Sequence, residues 1–555
     1  MKKYLNIIVG VLCCILISGA FYYAELPPLN PQSTAFWGFT LVVILSFSIP
    51  FGLISAVRET ADRIKKRDFV GFSLPTSVKV ILGVVAVPVL VLVIGGAISS
   101  TFFNARGYAS VITVQSAVFE EDMPEVSRVD NIALMDSASA QIYGNRTLGS
   151  LSEVVSQYEA GNTYNQINYL GSPKKVTSLE YVDFFKWWSN RGDGIPGYIM
   201  VDPVGSSAEY VELSRPLRYV DSAYFNDDLM RKLRFDYPTK IFGSVSFEID
   251  EEGTPYYIVS CMSAKIGLFG AMDVSEVIIF DPADGTSELY NVSETPSWID
   301  EVYTGQLATA KYDWYGMYSG GYWNSVVGNK DCKKTTDDFG YITLGDDVWY
   351  FTGVTSIVSD ESNIGFLLSN ARTGEYKFYP VVGAEEYSAM SAAEGEVQEK
   401  GYTASFPSLV NVSGEATYIL VLKDAGGIVK QYALVNVENY SIVATGATQQ
   451  EAMNAYRKEL SQNGIKDEGS VQTKRIVVSD VRIATIDGNS FVYLTDNERK
   501  VFKGSIVDDE SLMTIRVGDG LELTYTEIGY EDVYLIEKWQ PTDIPTAEPE
   551  ETPAE

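Results

Sequence analysis

The sequence has no histidine among its 555 residues, and this absence removes several kinds of chemistry at once. Histidine is the usual general base near neutral pH, the partner that activates most nucleophilic serines and cysteines, and a common zinc ligand. The chain has only four cysteines, which are too few and too scattered to replace the imidazoles in a tetrahedral zinc site. We therefore predict no enzymatic activity, no catalytic residues, no metal site and no cofactor.

Basic residues are also scarce, with 42 Lys and Arg against 73 Asp and Glu and a formal net charge of −31. A chain with this charge repels a phosphate backbone, so nucleic acid is excluded as a partner. Charged residues make up only 21% of the sequence and hydrophobic residues 46%. This composition predicts several folded units, with part of the chain in lipid.

Three long uncharged segments near the amino terminus predict transmembrane helices at about residues 4–24, 35–57 and 80–103. About twenty helical residues cross a hydrocarbon core of about 30 Å. A cleaved signal peptide is the alternative for the first segment. Tyr22 stands where cleavage after Ala24 would need a small residue, so we favour an uncleaved anchor.

The basic residues predict how these helices are oriented. Six of them lie between the second and third segments: Arg58, Arg63, Lys65, Lys66, Arg67 and Lys79. The loop after the first segment has none, and Lys2 and Lys3 precede the first segment. Because basic loops stay in the cytoplasm, we predict a multi-pass protein of the cell membrane with a cytoplasmic amino terminus. Residues after about 106 are then extracytoplasmic.

The exported part is strongly acidic, because residues 1–106 hold four of the 73 acidic residues but nine of the 42 basic ones. We expect it to be repelled by anionic headgroups and to stand away from the membrane.

Cys13 and Cys14 lie in the first segment, whereas Cys261 and Cys332 lie in the exported part. Cys261 and Cys332 could form a disulfide or remain two separate thiols, and both alternatives stay open.

After residue 106 the sequence repeats one pattern, in which an apolar strand, a Gly/Asp turn and a second strand are often followed by a helix. Four copies fall at about residues 194–213, 247–292, 341–382 and 406–446. We predict a first α+β module at 107–243, a second at 244–336, and a third and fourth at 337–464.

Short strands at closer spacing follow and predict a small OB-like or SH3-like β-barrel at 465–540, and the Pro- and Glu-rich end, 541–555, predicts a disordered acidic tail. The predicted fold class is thus a membrane-anchored α+β protein. It has three amino-terminal transmembrane helices, then repeated hairpin and helix modules, and a small carboxyl-terminal barrel.

Two turns carry a family resemblance. Asp281–Gly285 and Asn370–Gly374 fall between apolar alternations and predict hairpin tips. With their flanking strands, DPADGTSELY and NARTGEYKFY, they resemble the PepSY type of extracytoplasmic α+β module. PepSY-like modules are associated with protein interaction and with restraint of exported peptidases, so the resemblance implies a binding role.

A longer resemblance runs through FEIDEEGTPYY, IGLFG, SNIGF, EEYSAM and KDAGGIVKQYALV. Over nearly its whole length the chain resembles an uncharacterised family of three-span bacterial envelope proteins. This resemblance implies a place in the cell envelope and assigns no functional residues.

Two histidine-free kinds of catalysis remain to be considered. Ser172 and Lys175 form an SxxK string, but the companion KTG motif is missing and about two such strings are expected by chance in a chain of this length. A carboxylate pair about 5 to 9.5 Å apart and facing a cleft could hydrolyse glycosides. The exported part has too many acidic residues for the sequence to single out one pair.

The most unusual segment is rich in aromatic residues. Its members are Tyr312, Trp314, Tyr315, Tyr318, Tyr322 and Trp323. Tyr315, Tyr318 and Tyr322 have the spacing of one helical face, which favours packing in a core or domain interface. Exposed rings would instead form a binding surface for a sugar, the membrane interface or a partner strand.

We therefore predict a non-enzymatic, membrane-anchored extracytoplasmic scaffold or protein-binding protein of the bacterial cell envelope. Its expected partners are membrane lipid and an envelope protein, and the sequence does not predict an oligomeric state. One alternative is a carbohydrate or cell-wall binder that uses the 312–323 aromatic segment. Another is a carboxylate-based hydrolase.

Overall fold

The computed structural model describes residues 5–66, 76–126, 132–357, 359–463, 471–486, 489–506, 509–527 and 533–542. Three apolar helices come first, and a mostly β-sheet α+β part follows, as predicted. Lys2, Lys3 and Arg67, used for the orientation, lie outside the described residues. So does the predicted disordered tail from residue 543 onward.

The elements have the following bounds. The helices are α1 (Leu5–Glu25), α2 (Thr34–Lys66), α3 (Thr76–Ser99), α4 (Thr101–Ala109), α5 (Phe119–Asp122), α6 (Ser137–Gly149), α7 (Ser152–Val155), α8 (Phe184–Asn190), α9 (Leu229–Asp236), α10 (Gly305–Tyr318), α11 (Glu386–Glu396) and α12 (Gln449–Gln462). The strands are β1 (Val114–Ser116), β2 (Tyr158–Ala160), β3 (Asn165–Tyr169), β4 (Ser172–Tyr181), β5 (Ile195–Asp202), β6 (Ser207–Leu217), β7 (Ile241–Ile249), β8 (Pro255–Ile266), β9 (Gly270–Phe280), β10 (Ser287–Asn291), β11 (Lys333–Thr335), β12 (Gly340–Leu344), β13 (Asp347–Ser356), β14 (Ser359–Asn370), β15 (Tyr376–Tyr379), β16 (Thr403–Ala404), β17 (Ser408–Val412), β18 (Glu415–Lys423), β19 (Val429–Asn436), β20 (Val443–Gly446), β21 (Val471–Ile486), β22 (Asn489–Asp496), β23 (Val501–Ser505), β24 (Gly520–Glu527) and β25 (Val533–Pro541).

The first three helices are long and apolar enough to cross a membrane, within Ile7–Glu25, Thr34–Gly52 and Val78–Ser99. The third predicted segment, 80–103, is too long. Helix α3 ends at Ser99, Ser100 has an extended backbone with ψ 152°, and α4 then begins. Its last two predicted residues, Phe102 and Phe103, therefore belong to a separate short helix.

Four open sheets follow, and each of the four sequence repeats falls within a different one. Sheet one has the order β2-β4-β5-β6 with β3 on β4, and sheet two has the order β10-β9-β8-β7. Sheet three has the order β1-β15-β14-β13-β11 with β12 on β13, and sheet four has the order β16-β18-β19-β20 with β17 on β18. The early strand β1 pairs in parallel with β15, so the chain passes sheet three before it builds sheet one.

The last five strands pair with one another in the order β21-β22-β23-β25-β24, and β24 pairs again with β21. This order closes the sheet on itself around an apolar interior that includes Val492, Phe502 and Leu523. The short carboxyl-terminal strands predicted from the sequence are thus present. Their likeness to an OB-type or SH3-type barrel stays a prediction.

Both predicted hairpin tips are confirmed. The turn at Asp281–Gly285 joins β9 to β10, and the turn at Asn370–Gly374 joins β14 to β15. Gly285 and Gly374 have φ values of +78° and +71°, which favour glycine over residues with a side chain. In both turns the glycine N–H donates to the carbonyl oxygen of the first residue, at 2.9 Å from Asp281 and 3.0 Å from Asn370.

Sheet two and its preceding helix rest against the end of α1. Arg231 and Arg234 of α9 donate to the carbonyl oxygens of Tyr23 and Leu26, at 3.3 and 2.8 Å. These oxygens lie at the carboxyl-terminal end of α1, where helical carbonyls lack partners and the helix dipole favours cations. The α1–α2 loop adds a hydrogen bond from the Leu29 N–H to the Pro238 oxygen at 2.7 Å.

The tip of the β8–β9 hairpin rests in the same way against the end of α3. The Ser99 hydroxyl oxygen accepts hydrogen bonds from the N–H groups of Leu268 and Phe269, at 2.8 and 2.9 Å. A Cβ at Gly95 would lie 2.5 Å from the Phe269 ring, so this glycine lets the ring lie against α3. The folded part thus bonds directly to the ends of two apolar helices. That its acidic surface stands away from the membrane stays a prediction.

Replacing Ser99 with Ala should loosen this hairpin tip, because Ser99 is buried and accepts from two backbone N–H groups. A buried donor left without an acceptor costs about 1–3 kcal/mol, so the Leu268 and Phe269 amides should exchange about tenfold faster or more. Hydrogen exchange on the full chain in micelles measures this. Ser110→Ala, which removes an exposed hydroxyl from the end of α4, is the control. Unchanged exchange at the tip would show that Ser99 does not hold it.

Candidate functional site

The aromatic segment predicted as a binding surface is divided between two environments. Tyr312 is 1% exposed and belongs to the core that α10 shares with sheet three. Tyr315 lies partly buried against the same core. Trp314 and Tyr318 present their rings to Tyr108 of α4, with centroids 5.2 and 6.5 Å apart. These four rings therefore pack α10 against its neighbours.

The last two rings of the segment lie beyond α10. Both contact Phe102 of α4, with centroid distances of 5.0 Å for Tyr322 and 6.1 Å for Trp323. Trp323 is nevertheless 68% exposed, the most exposed of the six rings. The six rings thus do not share one open face, and whether they bind a ligand stays a prediction.

The cysteines are free thiols, so of the two alternatives for Cys261 and Cys332 the structure has two separate groups and no disulfide between them. Cys261 lies in the core of sheets one and two, where burial raises its pKa to about 12. The Cys332 thiol donates to the Met317 carbonyl oxygen at 3.5 Å. Burial also raises the pKa of Cys332. Neither group is a thiolate near neutral pH.

The SxxK string does not form a catalytic pair. Ser172 and Lys175 both lie on β4, and an odd spacing along a strand points their side chains to opposite faces. Lys175 is buried, with its Nζ 5.0 Å from the centre of the Tyr341 ring. Burial lowers the pKa of Lys175 to about 8. This lysine is a packed interior residue.

A pair of buried carboxylates that the sequence could not identify lies between sheets one and two. Glu248 of β7 accepts hydrogen bonds from the Asp300 and Glu301 N–H groups, at 2.8 and 3.1 Å, and from the Ser246 hydroxyl at 2.9 Å. Asp300 accepts from the Asn168 N–H of β3 at 2.7 Å. Both carboxylates are almost fully buried, which differs from the cleft-facing pair that a glycosidase needs.

Burial raises the pKa of both carboxyl groups. Repulsion from Glu301 adds to the effect at Glu248, and repulsion from Glu248 adds to it at Asp300. Three donors favour the ionised form of Glu248, whereas Asp300 accepts only the Asn168 N–H within the described residues. A proton held by this pair therefore resides on Asp300. The pair fastens sheet one to sheet two and gives no access to a substrate.

An open cleft of about 620 Å³ lies between sheet one and the hairpin tips of sheet two. Residues 209–215 of β6 form one wall, residues 252–255 of the β7–β8 hairpin form another, and the β9–β10 turn closes one end. Tyr198 of β5 joins the two sheets beneath it, since its hydroxyl donates to the Gly253 oxygen at 3.2 Å. We call this cleft the acidic groove.

The wall formed by β6 is a sheet edge. In the described part of the chain, β6 pairs with β5 and with no other strand. Seven consecutive residues line the groove, so the edge of the strand itself faces the open space. Pro216, near the end of β6, fits this position because proline is tolerated mainly in edge strands. Helix α6 covers only the first part, where the Thr147 hydroxyl donates to the Ala208 oxygen at 3.1 Å.

The groove has negative walls and an aromatic floor. Glu209, Glu212, Glu252 and Asp281 line it, together with one cation, Arg215. Arg215 is already bonded to Asp281 at 3.0 Å and to Asp284 at 2.8 Å, so it does not offset the two exposed glutamates of β6. The groove therefore favours a positively charged ligand.

The floor includes Tyr198 and Tyr210, and the position of the Tyr210 ring depends on a glycine. A Cβ at Gly197 would lie 2.4 Å from the Tyr210 ring, so glycine alone lets this ring lie flat across β5. This groove could not be identified from the sequence. The first predicted copy ended at residue 213, three residues before Pro216, whose place in β6 is the local sign of an exposed edge.

Across the described ranges, no group of three or more Cys, Asp or Glu residues is placed to hold a metal ion. The groove offers hydrogen-bonding backbone, aromatic surface and negative charge, which suit binding. No protein-family model matches the sequence, and none of the curated proteins matches it either.

Proposed function

We propose that this chain is a membrane-anchored extracytoplasmic protein of the bacterial envelope that binds an extended segment of a partner protein in the acidic groove. The observation that carries the proposal is the open edge of β6 beside a cleft of about 620 Å³. An extended peptide can add to such an edge as a further strand, through main-chain hydrogen bonds. Side-chain pockets and charge then provide the specificity.

The proposed orientation rests on charge and on the contacts of the helices. The α1–α2 loop lies at the same end of the helices as the folded part, as the bonds from Leu29 and to Leu26 require. The carboxyl-terminal end of α2, at Lys66, therefore belongs to the opposite end, with the basic residues of its last turns. Because basic loops stay in the cytoplasm, the acidic groove is on the outer side of the cell membrane.

The finer assignments from the sequence are part of the same proposal. We propose that the hairpin and helix units are PepSY-like modules and that the closed carboxyl-terminal sheet is an OB-like or SH3-like barrel. We also propose that the chain belongs to the three-span envelope family it resembles. The hairpin turns at Gly285 and Gly374 support the first of these, and all of them agree with a binding role.

The groove predicts binding of a basic, extended peptide. A suitable probe is a fluorescent eight-residue peptide of alternating Lys and Val, titrated against the full chain in micelles. We expect saturable binding that weakens as salt rises, because charge contributes to it. The double substitution Glu209→Lys and Glu212→Lys should weaken binding by about tenfold or more, since both glutamates are exposed on the groove wall.

Two controls separate strand addition from simple charge attraction. The same peptide N-methylated at alternate residues keeps its charge but loses donors for β6, so its binding should be lost. Reversing two exposed glutamates away from the groove, Glu120→Lys and Glu121→Lys, should leave binding close to that of the unchanged chain. Equal binding of the methylated peptide, or equal weakening by the two double variants, would rule out the groove as a strand-addition site.

A further inference from the structure

An exposed apolar patch lies directly beside the end of α3. It consists of Phe102 and Phe103 of α4 with Trp323, Val326 and Val327, which follow α10, and we call it the apolar platform. Phe103 is 68% exposed and Val327 77% exposed. Ring contacts from Phe102 to Trp323 hold the two halves together. Large apolar groups gathered in this way mark a contact surface.

The chain itself fixes the position of this platform. The third candidate membrane span ends at Ser99, and α4 begins two residues later. Phe103 is four residues beyond the span, which is at most about 14 Å along the chain. Ile94 and Ile98, in the last turns of α3, are also exposed, so exposed apolar side chains lie on either side of the break at Ser100.

The end of α1 also has an aromatic ring from the folded part beside it. Phe235 of α9 contacts the rings of Tyr22 and Tyr23 at the end of α1, with centroids 6.0 and 6.4 Å apart. Phe235 is itself half exposed. Trp and Tyr are enriched at both surfaces of a bilayer because their apolar faces enter lipid while their polar atoms reach water. Tyr22 and Tyr23 stand at the end of α1, and Trp323 contacts Phe102 just past the end of α3, so such rings lie beside the ends of two different spans.

We propose that the apolar platform lies in the headgroup and upper acyl region of the bilayer that holds α1, α2 and α3. Burial of its rings and valines in lipid then fixes the tilt of the folded part against the membrane. Arg106 and Lys330 are exposed close to the platform in the chain and suit contact with anionic headgroups. Lipid is the occupant because the platform begins at Phe102, three residues after the third candidate span, whose exposed side chains are apolar.

Tryptophan quenching by brominated lipid tests this placement. The full chain is reconstituted in phosphatidylcholine and phosphatidylglycerol vesicles with and without bromine on the upper acyl carbons. We expect Trp323→Phe to lose part of the bromine-dependent quenching that the unchanged chain shows. The matched control is Trp298→Phe, because Trp298 lies against Tyr256, ten residues along β8 from Ile266 at the helix end of that strand. That distance is roughly 33 Å, so Trp298 should contribute nothing.

A second variant tests whether the rest of the platform also contacts lipid. Val327→Asp places a charge on an exposed side chain, so the fold is kept, and it should raise quenching of Trp323 by aqueous acrylamide while lowering quenching by bromine. Bromine quenching that is equal in the unchanged chain and Trp323→Phe would overturn the proposal. If Trp323 were shielded from both quenchers, a second protein surface would cover it and the proposal would fail. Neither result bears on the acidic groove, which is tested by peptide binding.

Discussion

Replacing Lys311 with Ala should lower the free energy of unfolding by about 3–5 kcal/mol, because it leaves a buried carboxylate without its counter-ion. The Lys311 Nζ lies 2.7 Å from an oxygen of Asp273, and both side chains are almost fully buried. The Nζ also lies 4.7 Å from the centre of the Tyr303 ring. Since Lys311 belongs to α10 and Asp273 to β9, the pair fastens the helix of the aromatic segment to sheet two.

Thermal unfolding of the full chain in micelles, with hydrogen exchange along α10 and β9, measures this effect. The double variant Lys311→Met with Asp273→Leu should recover most of the loss, since it removes both charges and fills the space. Arg482→Ala removes an exposed pair with Asp480 and should change stability by less than about 1 kcal/mol. A Lys311→Ala chain as stable as the unchanged one would show that Asp273 finds another partner or is protonated.

The three candidate membrane helices and the hairpin turns could be predicted because their signals are local. A run of apolar residues is sufficient for a span, and a glycine such as Gly285 or Gly374 is sufficient for a tight turn. The end of the third span was placed too late, since Phe102 and Phe103 are as apolar as the span itself. Apolarity alone does not show where Ser100 breaks the helix.

The aromatic segment shows a second limit. Its spacing predicts one helical face for Tyr315, Tyr318 and Tyr322, but α10 ends at Tyr318. Gly321 follows with φ +85°, which turns the chain before Tyr322. Residues three and four apart share a face only while the helix continues. Here the helix ends just before the pair Gly320 and Gly321.

The acidic groove and the buried ion pairs could not be predicted, because residues far apart in the chain create them. Glu209 and Glu252 face one cleft only after sheets one and two have packed together. Lys311 and Asp273 are 38 positions apart, and their pairing depends on how α10, which packs on sheet three, meets β9. Because the chain has 73 Asp and Glu residues, the sequence alone does not identify which carboxylates pair with another residue.

Substitutions at the two buried carboxylates should have opposite effects above neutral pH, since only one of them holds the proton. Burial and the Glu248 charge raise the pKa of Asp300 above its usual value. Between that usual value and the raised one, the folded chain keeps a proton that the unfolded chain has released. The free energy of unfolding therefore falls as pH rises through this window. Asp300→Asn should remove that fall, because the amide stays neutral and its oxygen still accepts from Asn168.

Glu248→Gln should instead destabilise the chain at every pH. Both oxygens of Glu248 face N–H donors, from Asp300 and Glu301, so the NH₂ group of a glutamine must oppose one of them. An unpaired buried donor costs about 1–3 kcal/mol. Glu251→Gln, an exposed change on the neighbouring hairpin tip, should leave both stability and its pH dependence nearly unchanged.

Denaturant unfolding of the full chain in micelles from pH 5 to pH 8 compares these variants. The slope of the free energy against pH for Asp300→Asn should differ from that of the unchanged chain by up to about 1.4 kcal/mol per pH unit, which is the effect of one proton. Equal slopes would mean that Asp300 is ionised in the folded chain and that Glu248 does not hold its neighbour neutral. If Glu248→Gln instead stabilised the chain, the proton shared by the pair would reside on Glu248, and its assignment to Asp300 would be wrong.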